Sequence, residues 1–369
     1  MSGSNPKPLV HHLYVHIPFC THICPYCAFY KTRNSLPEIK AFLPALLREL
    51  AWARENFDLR PSTIFWGGGT PSALSIPQLE EIFSHWPWGE VTEFTLEANP
   101  LTISPAKADL LRQAGVNRIS LGAQAFDEAS LKILGRTHRE SDIVKSVEIL
   151  RRAGFQNLNL DLMFALPGQT TEAWQYSLAQ AVALSPEHLS AYNLTYEEDT
   201  DFFQKLQAGL WNVNEERDRN FFLHGTDFLA SRGFEAYEIS NFARPGFASI
   251  HNQAYWQGHD YLGLGPGACS TVGGQRWQNA SDTRRYAEGL LRDGEAPRQI
   301  EELTAETRRT ERILLQLRTS QGVESGLLKN QKELLTSLQQ EGLIELSPDR
   351  VRLTAKGRVV ADSVTELLI

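Results

Sequence analysis

Short runs of apolar and β-branched residues alternate with longer segments of helical periodicity through the first half of the chain. Alternation at this spacing is typical of βαβ units that build a parallel sheet. Serine and proline stand at several predicted helix starts, as in SIPQLEEIF. The predicted strands cover 12–17, 62–67, 91–97, 117–122, 156–163 and 188–194, and the predicted helices cover about 37–56, 76–85, 104–114, 127–153 and 171–184.

These repeats predict an α/β fold with a partial (β/α)6, TIM-like barrel. In such barrels the functional residues gather where the strands end. The first strand runs into a loop with three cysteines, the second into GGGTPS and the fourth into GAQAF. The third strand ends at Glu97, and the fifth carries Asp161 before ALPGQ. Distinctive residues at the same end of five consecutive strands therefore predict a site at that edge.

The second half is less regular. It contains a helix near 215–232, an aromatic stretch up to ACS, a helix near 282–294 and a connector, GEAPRQIEEL. The tail has the order helix–helix–hairpin, which predicts a small winged-helix-like α+β domain. Such domains often bind DNA, but a structural lid or interaction module is the favoured interpretation. The predicted domains are a barrel at 1–200, an extension at 201–300 and the tail domain at 301–369.

Composition narrows the class of protein. The net charge of −8 and the pI near 5.7 argue against a dedicated nucleic-acid binder. No apolar run is long enough to span a bilayer, and the opening MSGSNPKPLVHH lacks the apolar core of a secretory signal. We therefore expect a cytoplasmic protein. Four cysteines, three of them clustered, predict metal or redox chemistry rather than a disulfide framework.

The clustered cysteines are Cys20, Cys24 and Cys27, spaced C-x3-C-x2-C after the first strand. Three thiolates can hold three irons of a cubane 4Fe-4S cluster and leave the fourth iron open to another ligand. A structural zinc ion normally takes four ligands. His22 lies inside the loop and keeps zinc open as an alternative on chemical grounds. The spacing favours the open cluster.

Several motifs together resemble the radical S-adenosylmethionine (SAM) superfamily. They are YVHIPFC, CPYC, GGGTPS, LEANP, RISLGAQAF, LGRTH, DLMFALPGQT and LSAYNLT. Their order is similar to the oxygen-independent coproporphyrinogen III oxidase group, and within it to the HemW-type heme chaperones. The resemblance spans about residues 10–365. It implies a 4Fe-4S cluster whose open iron is chelated by the amino and carboxylate groups of SAM.

The same resemblance implies which residues contact SAM. Glycines let the backbone approach a ligand closely, and an arginine fork can pair with a carboxylate. Each position also has a structural alternative, as a core tyrosine, a solvated loop residue or a member of an internal pair. The implied contacts are Tyr14, Tyr26 toward adenine, Gly68, Gly69 and Thr70 toward the methionyl group, Glu97 toward the ribose, Gln124, Arg136 toward the carboxylate, Asp161 and Thr195.

Two segments help to distinguish the oxidases of this group from the HemW-type proteins. True oxidases of the group resemble C-x3-C-x2-C-x-C, but the position of the extra cysteine is Phe29 here. HemW-type proteins also lack that cysteine, although they usually carry an acid where this chain has Ala28. The second segment, HNQAYW, fits the H-N-x-x-Y-W pattern of HemW-type proteins.

This second segment implies heme binding through His251, Tyr255 and Trp256. Histidine is a common axial ligand, and aromatic rings pack on a porphyrin face. The alternative is that His251 satisfies backbone groups and Trp256 fills a core. Cys269 nearby is interpreted as a small buried hydrophobe rather than a ligand.

The resulting hypothesis is a cluster-carrying chaperone that binds heme and passes it to acceptor proteins. The alternative is a radical SAM enzyme acting on a porphyrin or another hydrophobic substrate, as an oxidase or a methyltransferase. A third hypothesis, a redox-sensing DNA-binding regulator, is supported only by the winged-helix-like tail. Expected partners are heme, heme-acceptor proteins and an electron donor, with peripheral membrane contact and no nucleic acid.

Overall fold

A computed structural model describes residues 6–86, 89 and 91–369 of the chain. The prediction that MSGSNPKPLVHH is not a secretory signal falls partly on MSGSN, which lies outside the described residues. No helix within this described part is long and apolar enough to cross a membrane.

Strands and helices alternate along the barrel region as the hydrophobic pattern predicts. Within the described residues the strands are β1 Leu9–Ile17, β2 Phe19–Cys20, β3 Thr32–Arg33, β4 Asp58–Gly68, β5 Glu93–Ala98, β6 Arg118–Gln124, β7 Leu158–Phe164, β8 His188–Asn193, β9 Glu235–Ala236, β10 Asn241–Ala243, β11 Leu262–Leu264, β12 Cys269–Val272, β13 Gln275–Asn279, β14 Arg298–Glu302, β15 Val323–Glu324, β16 Ile344–Leu346 and β17 Arg350–Leu353.

Most helices begin at a side chain or proline suited to a helix start, such as Ser104 before α3 and Thr170 before α6. The α-helices of the described residues are α1 Leu36–Asn56, α2 Ile76–Ser84, α3 Pro105–Gln113, α4 Glu128–Ile133, α5 Glu140–Arg152, α6 Thr171–Ala183, α7 Asp201–Gln207, α8 Glu215–Ser231, α9 Ile250–Gln257, α10 Thr283–Asp293, α11 Ala305–Leu317, α12 Lys332–Gln340, α13 Ala355–Val359 and α14 Ala361–Leu368.

The described residues form two compact units built from non-consecutive segments. Unit 1 holds residues up to Leu160, Thr195–Asn212 and Asp260–Glu302. Unit 2 holds Asp161–Leu194, Val213–His259 and Leu303–Ile369. The chain passes from one to the other inside β7. The three consecutive domains expected from the sequence stay a prediction.

Unit 1 contains the parallel part of the sheet, in the order β11-β1-β4-β5-β6 with the start of β7 beside β6. Buried apolar side chains fill the space between this sheet and its helices. Trp66 of β4 stacks on Phe83 of α2 with ring centroids 5.0 Å apart, and Phe94 of β5 meets the same indole edge-on at 5.7 Å. The aligned strands bring their carboxyl ends to one edge.

Unit 2 contains the order β8-β10-β9, in which β10 pairs antiparallel with both neighbours. Its C-terminal segment has a separate small sheet, β15-β17-β16. A core of buried aliphatic residues from α11, α12 and α14 covers that sheet, with Ile313, Leu317 and Val364 among its members. This arrangement is the helix-and-hairpin domain that the tail sequence predicts, with added elements.

The six strands and most helices predicted for the barrel are confirmed, but the single helix predicted at 127–153 is wrong. The structure divides it into α4 and α5. Gly135 between them adopts φ +64, and a Cβ there would lie 2.8 Å from Cδ of Pro25. The turn is therefore fixed by packing on the cysteine loop, which local periodicity does not encode.

Other differences concern the second half. The connector contains strand β14, which pairs with β13. The hairpin of the tail is β16–β17, and two short helices that were not predicted, α13 and α14, follow it. The HNQAYW segment belongs to helix α9, which Ser249 caps and Gly258 ends at φ +74. The sequence analysis described this region as an irregular aromatic stretch, so the helix was not predicted.

Candidate functional site

The cysteine loop leaves β1 and returns to α1 through a short parallel pairing. Phe19 pairs with Thr32, and Cys20 with Arg33. Inside the loop the backbone N–H of Cys27 donates to the carbonyl of Cys24 at 3.2 Å. This turn brings the second and third cysteines onto one tight curve of backbone.

Each cysteine of the loop has a hydrogen-bond donor close by. The Thr70 hydroxyl lies 3.7 Å from Sγ of Cys20, and Nη1 of Arg136 lies 3.3 Å from Sγ of Cys24. Lys31 donates to the backbone carbonyl of Cys27. All three thiols are free and half-buried. Donors of this kind stabilise thiolates and tune metal–sulfur clusters.

The same burial disfavours bare thiolates. Burial raises the pKa of Cys20 to about 11, and the neighbouring cysteines act in the same direction while Thr70 opposes it. Burial also raises the pKa of Cys27, against the nearby Lys31 ammonium. A buried thiolate needs positive charge to replace its lost hydration, and metal ions supply that charge.

Arg136 is half-buried beside the loop and joins several expected site residues. Its Nη2 donates to the carbonyl of Gly122 at 2.8 Å, and the guanidinium contacts the hydroxyl of Tyr26 as well as Cys24. Within the described part of the chain, its buried Nε has no hydrogen-bond partner. Tyr26 packs on Phe202 with ring centroids 5.9 Å apart. One N–H of the fork is thus available for a further acceptor.

The glycines of GGGTPS allow close packing of the backbone. Gly68 adopts φ +102, and a Cβ there would lie 2.3 Å from Cε1 of His16. A Cβ on Gly69 would lie 2.6 Å from the backbone carbon of Pro18. The Gly68 N–H donates to Oε2 of Glu97 at 3.2 Å. The run therefore connects β1 to the acid at the end of β5.

A hydrogen-bonded chain that the sequence analysis missed orients Tyr14. Nε2 of His16 lies 2.8 Å from the carbonyl of Tyr30, which can only accept, so Nε2 carries the proton. Nδ1 then accepts from the Tyr14 hydroxyl at 3.0 Å. Burial lowers the pKa of His16 to about 4, which keeps the ring neutral. The motif YVHIPFC contained His16, but only its cysteine and tyrosine were interpreted.

Gln124 ends β6 with φ +68, a backbone conformation that is unusual for a side chain other than glycine. Its Nε2 and Nη2 of Arg136 both lie close to Gly122, at 2.9 Å and 3.2 Å from where a Cβ would stand. Gly122 thus leaves the space in which Gln124 and Arg136 lie side by side.

Unit 1 therefore brings together most of the expected SAM residues, on β1, β4, β5, β6 and the loops that follow them. Thr195 also belongs to unit 1 and is exposed. Asp161 is half-buried on β7, at the first position of unit 2.

The expected heme residues lie on α9 in unit 2. His251 is fully buried, and its Nε2 lies 2.9 Å from the Tyr255 hydroxyl. The two rings meet edge-on with centroids 4.7 Å apart. Trp256 is half-buried, and the guanidinium of Arg318 lies 5.9 Å from its ring centroid.

The residues of unit 1 fit a cluster with SAM. The donor set is three thiols with polar support, the unpartnered Nε of Arg136 suits a carboxylate, and the glycine run leaves no room for side chains. His22, the fourth ligand of the zinc alternative, is exposed. Among the described residues, no group of three His, Cys, Asp or Glu side chains is arranged to hold a single metal ion.

Comparison with known proteins decides the family. The radical SAM superfamily matches residues 14–180, and the HemN C-terminal domain matches residues 303–360. The protein named heme chaperone HemW in Bacillus subtilis is 36% identical over 369 residues, covering 95% of this chain and 97% of that protein. The chain belongs to the HemW family of radical SAM proteins. HemW of Lactococcus lactis is 35% identical over 368 residues, covering 96% of both chains.

A solved structure supports the fold. The coproporphyrinogen III oxidase HemN from Escherichia coli, described as a radical SAM enzyme, aligns with a TM-score of 0.84 at 25% identity, covering 98% of this chain and 90% of that one. The predicted family and the α/β partial-barrel fold with its C-terminal domain are thus confirmed. The radical SAM domain at residues 14–180 implies a 4Fe-4S cluster and SAM as cofactors.

Proposed function

We propose that the chain is a cytoplasmic heme chaperone that binds heme and passes it to acceptor proteins. The observation that carries this proposal is full-length similarity to proteins named heme chaperone HemW, at 36% identity for the Bacillus subtilis protein. An electron donor and transient contact with a membrane surface belong to the same proposal.

We further propose that Cys20, Cys24 and Cys27 hold the cluster. Thr70 and Arg136 support two of the sulfurs, at 3.7 Å and 3.3 Å. A cluster held there would supply one-electron chemistry to a bound SAM. The chain contributes binding, orientation and exclusion of water.

For SAM, the proposed contacts in unit 1 divide by chemistry. Arg136 supports a carboxylate because its Nε is buried and otherwise unpartnered among the described residues. Glu97 suits ribose hydroxyls, and His16 fixes the direction of the Tyr14 hydroxyl. The remaining proposed contacts are Tyr26, Gly68, Gly69, Thr70, Gln124 and Thr195. Asp161 stays a sequence-based prediction.

For heme, the proposed contacts are on α9. Trp256 offers a partly exposed indole face, which suits a porphyrin. Since Nε2 of His251 is bonded to the Tyr255 hydroxyl, ligation of iron through that nitrogen requires exchange of this bond. Tyr255 then controls whether the imidazole is available.

A second candidate function is oxidation of coproporphyrinogen III, which the structural likeness to the Escherichia coli oxidase favours. The cysteine loop argues against it. Phe29 stands where the extra cysteine of true oxidases is expected, and its side chain is 71% exposed.

One anaerobically reconstituted preparation can separate the two functions. We expect saturable heme binding and no protoporphyrinogen IX from coproporphyrinogen III with SAM and a reductant. Multiple turnovers without heme binding would favour the oxidase. SAM cleavage measured on the same sample shows whether the cluster is competent, so a negative turnover result is interpretable.

A further inference from the structure

Unit 2 contains a pocket of about 320 Å³ beside the Trp256 end of α9. Its other walls come from the C-terminal segment, including α11, β15 and β17. Trp256 supplies an aromatic wall, and Arg312 and Arg350 supply positive charge. An aromatic wall with nearby cations suits a flat, apolar ligand that carries acidic groups.

Both arginines lie next to the same acidic residue, Glu324. Arg350 stands opposite Glu324 in the β15–β17 pair, and Arg312 forms an ion pair with Glu324 at 3.1 Å. Both members of that ion pair are nearly half exposed, and such pairs contribute little to stability. Arg350 donates one N–H to the carbonyl of Gly322 at 3.1 Å. A guanidinium has five N–H donors, so both arginines can also bind a carboxylate.

A polar group deep in the same pocket points to a ligand. Gln316 is 7% exposed, and its buried Oε1 has no hydrogen-bond partner among the described residues. A buried acceptor left unpaired is costly. The unpaired Oε1 can therefore accept a hydrogen bond from a ligand in the pocket.

We propose that this pocket binds the carboxylate edge of heme, with Arg312 and Arg350 pairing with the propionates and Trp256 packing against the ring. The assignment rests on the proposed function and gives the C-terminal segment a part in it. A pocket of 320 Å³ encloses only part of a porphyrin. The remainder of the ring stays accessible, which suits a protein that must release its cargo.

The test compares heme with its dimethyl ester, in which both propionates are uncharged. Absorbance titration of the full-length chain is expected to show at least about tenfold tighter binding of heme than of the ester. Arg312→Gln and Arg350→Gln should each weaken heme binding about tenfold and reduce the preference over the ester. Arg308→Gln, an exposed position of α11 outside the pocket, is the matched control and should bind like the parent.

Equal binding of heme and its ester by the parent would overturn this assignment while leaving heme binding intact. Full retention of the preference in both arginine variants would also overturn it. A parent that binds neither ligand would overturn the proposed function as well. The parent comparison needs no substitution, so it remains decisive if a variant misfolds, which its unfolding midpoint reports.

Discussion

At the scale of single residues, Arg136 connects the cysteine loop to the strand ends. Its guanidinium reaches Cys24, Tyr26 and Gly122 while one N–H remains unpartnered among the described residues. The sequence analysis named Arg136 as a contact of the SAM carboxylate, but it placed LGRTH inside a single helix at 127–153, so these bonds to the cysteine loop were not predicted. The arginine instead lies on the turn that Gly135 makes.

Replacing Arg136 by glutamine should weaken SAM binding at least about tenfold, since a charge-assisted pair with a carboxylate is lost. Iron content should stay near that of the parent, because the three cysteines remain. Equilibrium dialysis of SAM with parallel iron analysis measures both. Arg139→Gln, on the exposed start of α5, is the control. SAM affinity equal to the parent's would rule out the assignment.

The cysteines themselves give a second prediction. Any one of Cys20→Ala, Cys24→Ala and Cys27→Ala should abolish the complement of about four irons and four sulfides per chain. Cys269→Ala should retain it, because that thiol lies on β12 outside the loop. Stoichiometric zinc in anaerobically purified parent would contradict the cluster.

The glycine run predicts a steric effect that is separate from backbone strain. Gly68 and Gly154 both adopt positive φ, but only Gly68 has neighbours within reach of a new Cβ. Gly68→Ala should therefore destabilise the chain by about 1–3 kcal/mol more than Gly154→Ala, since it overpacks His16. Urea unfolding of both variants measures the difference. Equal losses would mean that φ alone requires glycine at position 68.

At the scale of elements, a buried carboxylate connects α1 to β11 and α10 within unit 1. Glu49 accepts hydrogen bonds from the Gly265 N–H at 2.7 Å, the Tyr286 hydroxyl at 2.6 Å and the Asn279 amide at 2.7 Å. Burial still raises its pKa from 4.5 to about 7, although these three donors oppose the shift. The helical pattern predicted at about 37–56 gives no signal that Glu49 is buried.

This raised pKa makes stability depend on pH with a definite sign. Between about pH 4.5 and 7 the native chain holds a proton on Glu49 that the unfolded chain has lost, so stability falls as pH rises through that window. The loss is roughly 3 kcal/mol when complete. Glu49→Gln cannot ionise and should lose less stability between pH 5 and pH 8.

Denaturation of the full chain at both pH values measures this effect. Glu55→Gln, an exposed position on the same helix, should behave like the parent. If Glu49→Gln shows the parent's full pH dependence, the carboxyl of Glu49 is not its source.

The elements also show where sequence reasoning succeeds and fails. The six barrel strands were predictable because alternation and flanking turns are local signals. The break at Gly135 and the Glu49 network were not, because each depends on residues far away in sequence, such as Pro25 and Tyr286. The loop after the first strand was also a local signal, whereas the cluster that its cysteines are predicted to hold stays a prediction. The Tyr14–His16 chain required the neighbouring strand and loop to be in place.

At the scale of the whole molecule, the fold does not decide the function. The chain has the fold of a coproporphyrinogen III oxidase, yet its full-length relatives are named heme chaperones. The proposed function separates the chaperone from the oxidase at Phe29 in the loop and at the α9 segment. A fold can support several functions, so the site must decide.

Heme titration into the anaerobically reconstituted, cluster-loaded chain tests the central claim most directly. We predict saturable binding of one heme per chain, seen as a shifted Soret band, with the iron–sulfur absorbance retained. Trp256→Ala should weaken that binding through lost contact with the ring. Absence of saturable binding, in a sample whose iron and sulfide content is complete, would contradict the chaperone account.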